Sequence, residues 1–242
     1  MKVTYIGHSG FMVEGEEVVL LFDYYNGEIP EISTDKAFYV FSSHGHYDHF
    51  NPEIFRLLQT TSKVRFILSS DINFDIAHQK KYGISKEDLG KIVRINKNES
   101  KVIKIDEVNL EVQTLASTDE GVAFLVSCEG KQIYHAGDLH WWTWIGETEE
   151  EYRDMETRFK SEIKRLEDVT IDIAFVPLDP RQEARFFWGM DYFMTHVEAR
   201  VVFPMHCQED YSVIATLKNM DVSSSYREKI MDIRQRGESF TI

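Results

Sequence analysis

Three histidines and an aspartate fall within six residues in the stretch His44-Gly45-His46-Tyr47-Asp48-His49. Imidazole nitrogens and a carboxylate at this density are the ligand types taken by zinc and similar divalent ions. On extended backbone His44 and His46 point the same way, because side chains alternate with a period of two. Asp48 and His49 come as the chain turns towards a helix, so they address a second point close by. One short loop thus offers two half-sites, and Gly45 lets the backbone bend tightly round an ion. The chemistry that follows is water activation: a divalent ion lowers the pKa of bound water from about 16 to near 7.

The elements around this loop must hold it still. The apolar run 37–41 reads as a buried strand and feeds directly into Ser42-Ser43-His44. Asn51 can cap a helix after the loop, with Pro52 in its first turn and Ile54, Phe55 and Leu58 on one face. Before the loop, residues 2–6, 10–13 and 18–22 are short apolar runs broken by glycine punctuation, as in a meander. After it, strands are expected at 64–68, 91–95, 101–105, 110–115, 122–127, 132–135, 173–176 and 201–203. Glu129-Gly130 suits the turn of a hairpin. Helices are expected from about 71 to 81, over 147–167, and in the tail at 210–219 and 225–236. Layer rules alone do not separate two packed sheets under helices from other α/β arrangements.

His-x-His-x-Asp-His after an apolar strand resembles the signature of the metallo-β-lactamase superfamily, and the resemblance extends over nearly the whole chain. It implies an α/β fold, a four-layer αβ/βα sandwich, here as one domain over 1–242, with the metals where the two sheets meet. Asp23, closing the strand 18–22, matches the family's early aspartate, which orients the metal loop without touching metal. Asp138 in His135-Ala136-Gly137-Asp138 matches the carboxylate that bridges two metals. His206 in Phe203-Pro204-Met205-His206 matches the last histidine ligand. The opening Ile6-Gly7-His8-Ser9-Gly10 is similar to the subgroup containing ascorbate-6-phosphate lactonase and N-acyl phosphatidylethanolamine phospholipase D.

The pattern has one gap. The family places a histidine between the first cluster and the Gly-Asp, but the stretch Leu115-Ala116-Ser117-Thr118-Asp119-Glu120-Gly121-Val122 contains none. The half-site of His44 and His46 therefore lacks its third nitrogen. Three alternatives stand: Asp119 supplies an oxygen, His8 or His140 reaches in, or that half-site is weak or empty. The other half-site, Asp48, His49 and His206 with Asp138 shared, is complete. The resemblance implies a metal-dependent hydrolase that attacks a small ester, lactone, amide or phosphodiester through a metal-bound hydroxide. Asp48 is expected to orient the water or take its proton, with His140 or Arg181 stabilising the oxyanion. The ion expected is Zn2+, with Mn2+ an alternative, one bound tightly and a second weakly. A non-catalytic metal-binding or regulatory domain is the competing reading.

Several neighbours of these motifs have two readings each. The aromatic run Leu139-His140-Trp141-Trp142-Thr143-Trp144 is either a pocket wall or a packed plug. Arg181 either grips a substrate anion through its forked donors or closes a structural turn with Asp179. His8 is either a substrate-side donor or a structural histidine. His78 and His196 read as surface histidines, and His135 as facing out of its strand or bonding locally. Phe186-Phe187-Trp188 and Tyr192-Phe193 read as core or interface.

Composition narrows the partners. The 242 residues carry 27 basic and 41 acidic side chains, a formal charge of −14, which repels phosphate backbones. A small-molecule substrate is expected, with no nucleic acid and no membrane; no apolar run approaches the roughly 20 residues of a membrane span. The oligomeric state stays open. Two cysteines, Cys128 and Cys207, lack CxxC spacing, so neither a disulfide framework nor a cysteine-rich zinc site is expected. Nothing at the start has the layout of a signal peptide, and a cytoplasmic enzyme is the expectation.

Overall fold

The apolar runs are strands buried on both faces. In Val18–Phe22, Leu20 and Phe22 point into one hydrophobic cluster while Val19 and Leu21 point into another, and all four are fully buried. That alternation is what a central strand between two layers requires. The computed structural model describes residues 1–31 and 33–242. Strands β1 (Lys2–Gly7), β2 (Gly10–Glu14), β3 (Val18–Phe22), β4 (Ala37–Ser42), β5 (Val64–Ser69) and β6 (Ile92–Ile95) lie in sequence order in the first sheet. The second sheet holds β7 (Ser100–Ile105), β8 (Val108–Ala116), β9 (Val122–Cys128), β10 (Lys131–His135), β11 (Ile171–Pro177) and β12 (Ala199–Met205). A last strand, β13 (Ser239–Thr241), returns to pair antiparallel with β1 and makes the first sheet seven-stranded.

Phe11, Phe22 and Phe41 from the first sheet meet Phe124, Phe175 and Phe203 from the second. A 3-10 helix, Pro52–Gln59, covers the outer face of the first sheet with Ile54 and Phe55. The short helices α1 (Ile76–Lys81) and α2 (Lys86–Leu89) flank it. The second sheet is backed by α3 (Glu149–Lys164), α4 (Trp188–His196) and α5 (Ser212–Asn219), which bury Phe159, Ile163, Met190, Phe193, Ile214 and Leu217. The result is the four-layer αβ/βα sandwich. Among the described residues no helix is long and apolar enough to cross a membrane.

β3 pairs parallel with β4, β10 with β11, and β11 with β12. Their carboxyl ends face one edge of the sandwich, where open α/β sheets place their ligands. Both sheets are stitched together at this edge. Val122 N–H donates to the Ser43 carbonyl at 3.0 Å, and His135 Nε2 donates to the Ser9 carbonyl at 2.9 Å. Gly121 and Gly137, both with positive φ, make the close approach possible, since a Cβ at either would overlap Ser43.

Two expectations change, and one helix is added. The helix expected from about 71 begins only at Ile76, because Asp71 turns its carboxylate back to the Gly45 N–H at 2.9 Å and to Ser69, and Asp75 caps the helix instead. The tail has no helix over 225–236. Short 3-10 turns give way to Ile230, which bridges to Val202, so β-type pairing overrides local propensity there. The aromatic stretch after Phe187 is a helix, α4, whose residues are apolar on too many sides to show helical period.

Candidate metal centre

Each candidate ligand follows the carboxyl end of a strand. His8 occupies the two-residue turn between β1 and β2, Asp23 follows β3, and the histidine loop follows β4. Asp119 and Glu120 follow β8, Asp138 follows β10, Asp179 follows β11 and His206 follows β12. Three of these residues hold strained backbone, with φ of 54° at His8, 42° at Asp23 and 63° at His206. Non-glycine residues persist there only when surrounding structure over-determines them, a pattern that clusters at functional sites.

The strands bring His49, His206 and Asp138 to one point. His49 Nε2 and His206 Nε2 lie 3.0 Å apart, and Asp138 Oδ1 lies 2.9 Å from His206 Nε2 and 3.2 Å from His49 Nε2. The far side of each ring is held by an acceptor. His49 Nδ1 donates to Asp23 Oδ2 at 2.8 Å, and His206 Nδ1 faces Asp179 Oδ2 at 3.3 Å. Ser43 Oγ donates to Asp23 Oδ2 at 2.6 Å, which leaves it to accept from His44 Nδ1 at 3.0 Å. All three Nε2 atoms thereby point towards Asp138, the orientation from which a ring binds metal once any proton on that nitrogen is displaced. Asp23 is fully buried and also accepts the Ser43 N–H at 2.7 Å, the orienting role expected of it.

The donor set fits a divalent ion. Among the described residues, the buried Asp138 Oδ1 makes no hydrogen bond of normal geometry despite its two close nitrogens, and the buried His8 Nε2 has no partner either. Ligands about 2.0–2.1 Å from a tetrahedral centre are spaced roughly 3.3 Å from one another, close to the separations of His49, His206 and Asp138 found here.

Without an ion, protons on two of these rings balance the buried carboxylate, and a bound metal would replace them. Burial pulls His49 down, but Asp138 and Asp23 outweigh it and raise its pKa to about 10. Burial likewise opposes His206, yet Asp138 and Asp179 raise it. Asp138 stays well below the usual carboxylate range against its own burial, held by His49 and His206. His44 is pushed to about 4 by burial and by neighbouring His49.

The second grouping is looser. His44, His46 and Asp138 can share an ion, with Asp138 Oδ2 3.5 Å from His44 Nε2 and His46 Nδ1 3.0 Å from His44 Nε2. The His46 side chain is 45% exposed, and its Nε2 faces Glu120 Oε2 at 3.5 Å, a neighbour that sequence reasoning passed over. Asp119 lines the same cavity but belongs to neither grouping; burial and then Asp138 raise its pKa. Asp48 also belongs to neither, and its Oδ2 lies 3.5 Å from His8 Nε2.

The cavity over these residues measures about 260 Å³ and is walled by Trp142, Trp144, Thr118 and Met155 with Arg181. The aromatic run plays both of its parts. Trp141 is a buried plug against Phe159 and Trp188, while Trp142 and Trp144 stack at 5.8 Å and face the cavity. Arg181 donates twice to Asp179 through Nε, 3.0 Å to each oxygen, and leans over the Trp144 ring at 5.7 Å. His140 lies behind the wall, fully buried, with Nε2 bonded to Gln182 at 2.7 Å. His135 is buried between the sheets rather than facing outward, because its ring stacks on Phe22 at 5.0 Å. His78 and His196 are on the surface as expected, each bonded to its own helix. A larger crevice of about 610 Å³ near Asp71 and Arg94 lies elsewhere, and both of those charged groups are already bonded within the protein.

The sequence profile of a family described as the beta-lactamase superfamily domain matches residues 2–151. The chain belongs to that family. A UPF0173 metal-dependent hydrolase of Alkaliphilus metalliredigens is 25% identical over 225 residues, covering 85% of each chain. Another, of Bacillus thuringiensis, is 27% identical over 239 residues, covering 90% of this chain and 94% of its own. The fold is similar to that of Igni18, a metallo hydrolase from the archaeon Ignicoccus hospitalis, at a TM-score of 0.62 and 19% identity, over 100% of this chain and 98% of that one. The protein is thus an enzyme of the metal-dependent hydrolase class, on the metallo-β-lactamase fold.

Proposed function

We propose that this enzyme hydrolyses a small ester, lactone, amide or phosphodiester with one tightly held divalent ion and a second, weaker one. The observation that carries the reading is the convergence of the Nε2 atoms of His44, His49 and His206 on Asp138, each ring fixed from behind by an oxygen acceptor. The nitrogen and carboxylate donors favour Zn2+, and the shared carboxylate also admits Mn2+. When bound, such an ion supplies Lewis acidity and a water of lowered pKa.

The chain's own residues do the rest. Asp48 presents its carboxylate to the cavity, where it accepts a proton from the attacking water. The cavity of about 260 Å³ suits a small substrate, and Trp142 and Trp144 exclude water from its apolar part. Two of the three guanidinium nitrogens of Arg181 are committed to Asp179, so its remaining nitrogen offers a directed donor to a substrate oxygen. His140, bonded to Gln182 behind the wall, positions the Asp138–Trp142 segment rather than the substrate. Its backbone N–H and the Asp138 carbonyl both bond Thr118 Oγ1. Elemental analysis of gently purified protein, followed by an ester, lactone, amide and phosphodiester panel with the best metal restored, tests this reading. Activity on one class that chelation abolishes and metal restores is expected; metal-free protein that hydrolyses its substrate equally well overturns it.

A further inference from the structure

We propose that His8 is a metal ligand, so that the tight half-site is three imidazoles, His8, His49 and His206, closed by Asp138. The inference rests on the metal-centre reading above and changes its ligand set: the expected partner at that half-site is Asp48.

Four observations carry it. His8, His49 and His206 each offer a nitrogen, and these atoms all lie within 4.8 Å of one another, whereas among the described residues no such grouping includes Asp48. His8 Nε2 is buried and, among the described residues, has no hydrogen-bond partner. The His8 ring centroid lies 4.0 Å from that of His206 and 5.5 Å from that of His49, so its polar edge enters the same pocket of space. Its backbone is tied there as well, because the His8 carbonyl accepts the His206 N–H at 3.4 Å.

The turn that carries His8 adds a fifth argument. A two-residue connection with positive φ normally selects Gly, Asn or Asp, which tolerate that backbone. At φ 54° His8 holds a backbone that glycine would adopt at lower cost, which is compatible with a side chain kept for its chemistry. Its seat between β1 and β2 also places it across from the loop after β12, clamping the site from the first sheet. Asp48 Oδ2, 3.5 Å from His8 Nε2 and partly exposed, is then left at the cavity face, where a proton acceptor is needed.

X-ray absorption of the stripped full-length protein loaded with one equivalent of Zn2+, with competition titration of the same samples, tests the assignment. His8→Asn keeps a residue suited to positive φ, and thermal unfolding of the stripped variant checks that it folds. The wild-type ion is expected to show three imidazoles, His8→Asn two, and Asp48→Asn still three. His8→Asn should also weaken the tight ion by more than about 100-fold, beyond what loss of an orienting neighbour does. Two imidazoles in the wild type, or an unchanged count in His8→Asn, overturns the assignment while leaving the metal centre intact. Wild-type protein that binds no ion overturns both.

Discussion

The two half-sites share Asp138 yet differ in almost every physical respect. On one side His49 and His206 are buried, their outer nitrogens rest on Asp23 and Asp179, and their inner nitrogens stand 3.0 Å apart. On the other side His44 is buried but His46 is half-exposed, and its nitrogens face His44 and the exposed Glu120. Rings held from behind lose little freedom when an ion arrives, whereas a solvent-exposed ring must be ordered first. The missing histidine in 115–122 thus weakens a half-site that the structure also leaves open.

Removing a ligand from the buried side should have the largest effect. His206→Ala is expected to cost the tight ion more than about 100-fold in affinity, read as loss of bound metal after gel filtration. A variant that retains one ion at full affinity would place the tight site on the other side.

The next effect is on stability and needs no metal. His140 is fully buried, and burial lowers its pKa to about 4 although Gln182 opposes the shift. Its folded value lies below the unfolded value of about 6.5, so its contribution is present above that pH and is lost as pH falls towards 4. Stripped protein should lose on the order of 3 kcal/mol from this group alone over that window. Denaturant midpoints at pH 7 and pH 4.5 should fall less in His140→Gln than in wild type. Equal falls would mean that other groups account for the loss.

A smaller effect is expected from the acceptors behind the rings. Asp23→Asn should lower tight-ion affinity by roughly 10–100-fold, and Asp179→Asn by less, since its contact is 3.3 Å against 2.8 Å. Isothermal titration of stripped variants reads both, and unchanged affinity in Asp23→Asn would remove it from the site.

How much of this the sequence reveals depends on how local each signal is. The strands, the metal loop, Asp23, Asp138 and His206 are legible because each ligand follows an apolar run and sits in a short motif. The role of Asp179 is not, since its contact with His206 joins the ends of β11 and β12, which only the parallel sheet brings together. Asp71 is missed for the same reason: it reads as helix, while its carboxylate braces Gly45 across the sheet edge. Glu120 looks like part of a polar turn until the loop folds it over His46. The absent tail helix shows the limit from the other side, because Ile230 gains more from pairing with Val202 than from helical propensity.

The smallest effect belongs to the open half-site. Asp119→Ala and Glu120→Ala should each weaken only the second ion, with Asp119 the larger because it is partly buried beside Asp138. Competition assays with a chromogenic chelator separate the two ions, and a tight ion that responds to either substitution would merge the half-sites into one.

The central claim is that the half-sites are unequal, and a Zn2+ titration of stripped wild-type protein tests it most directly. The structure predicts two well-separated binding events, one tight and one weak, each close to one ion per chain. Two ions of equal affinity would contradict it.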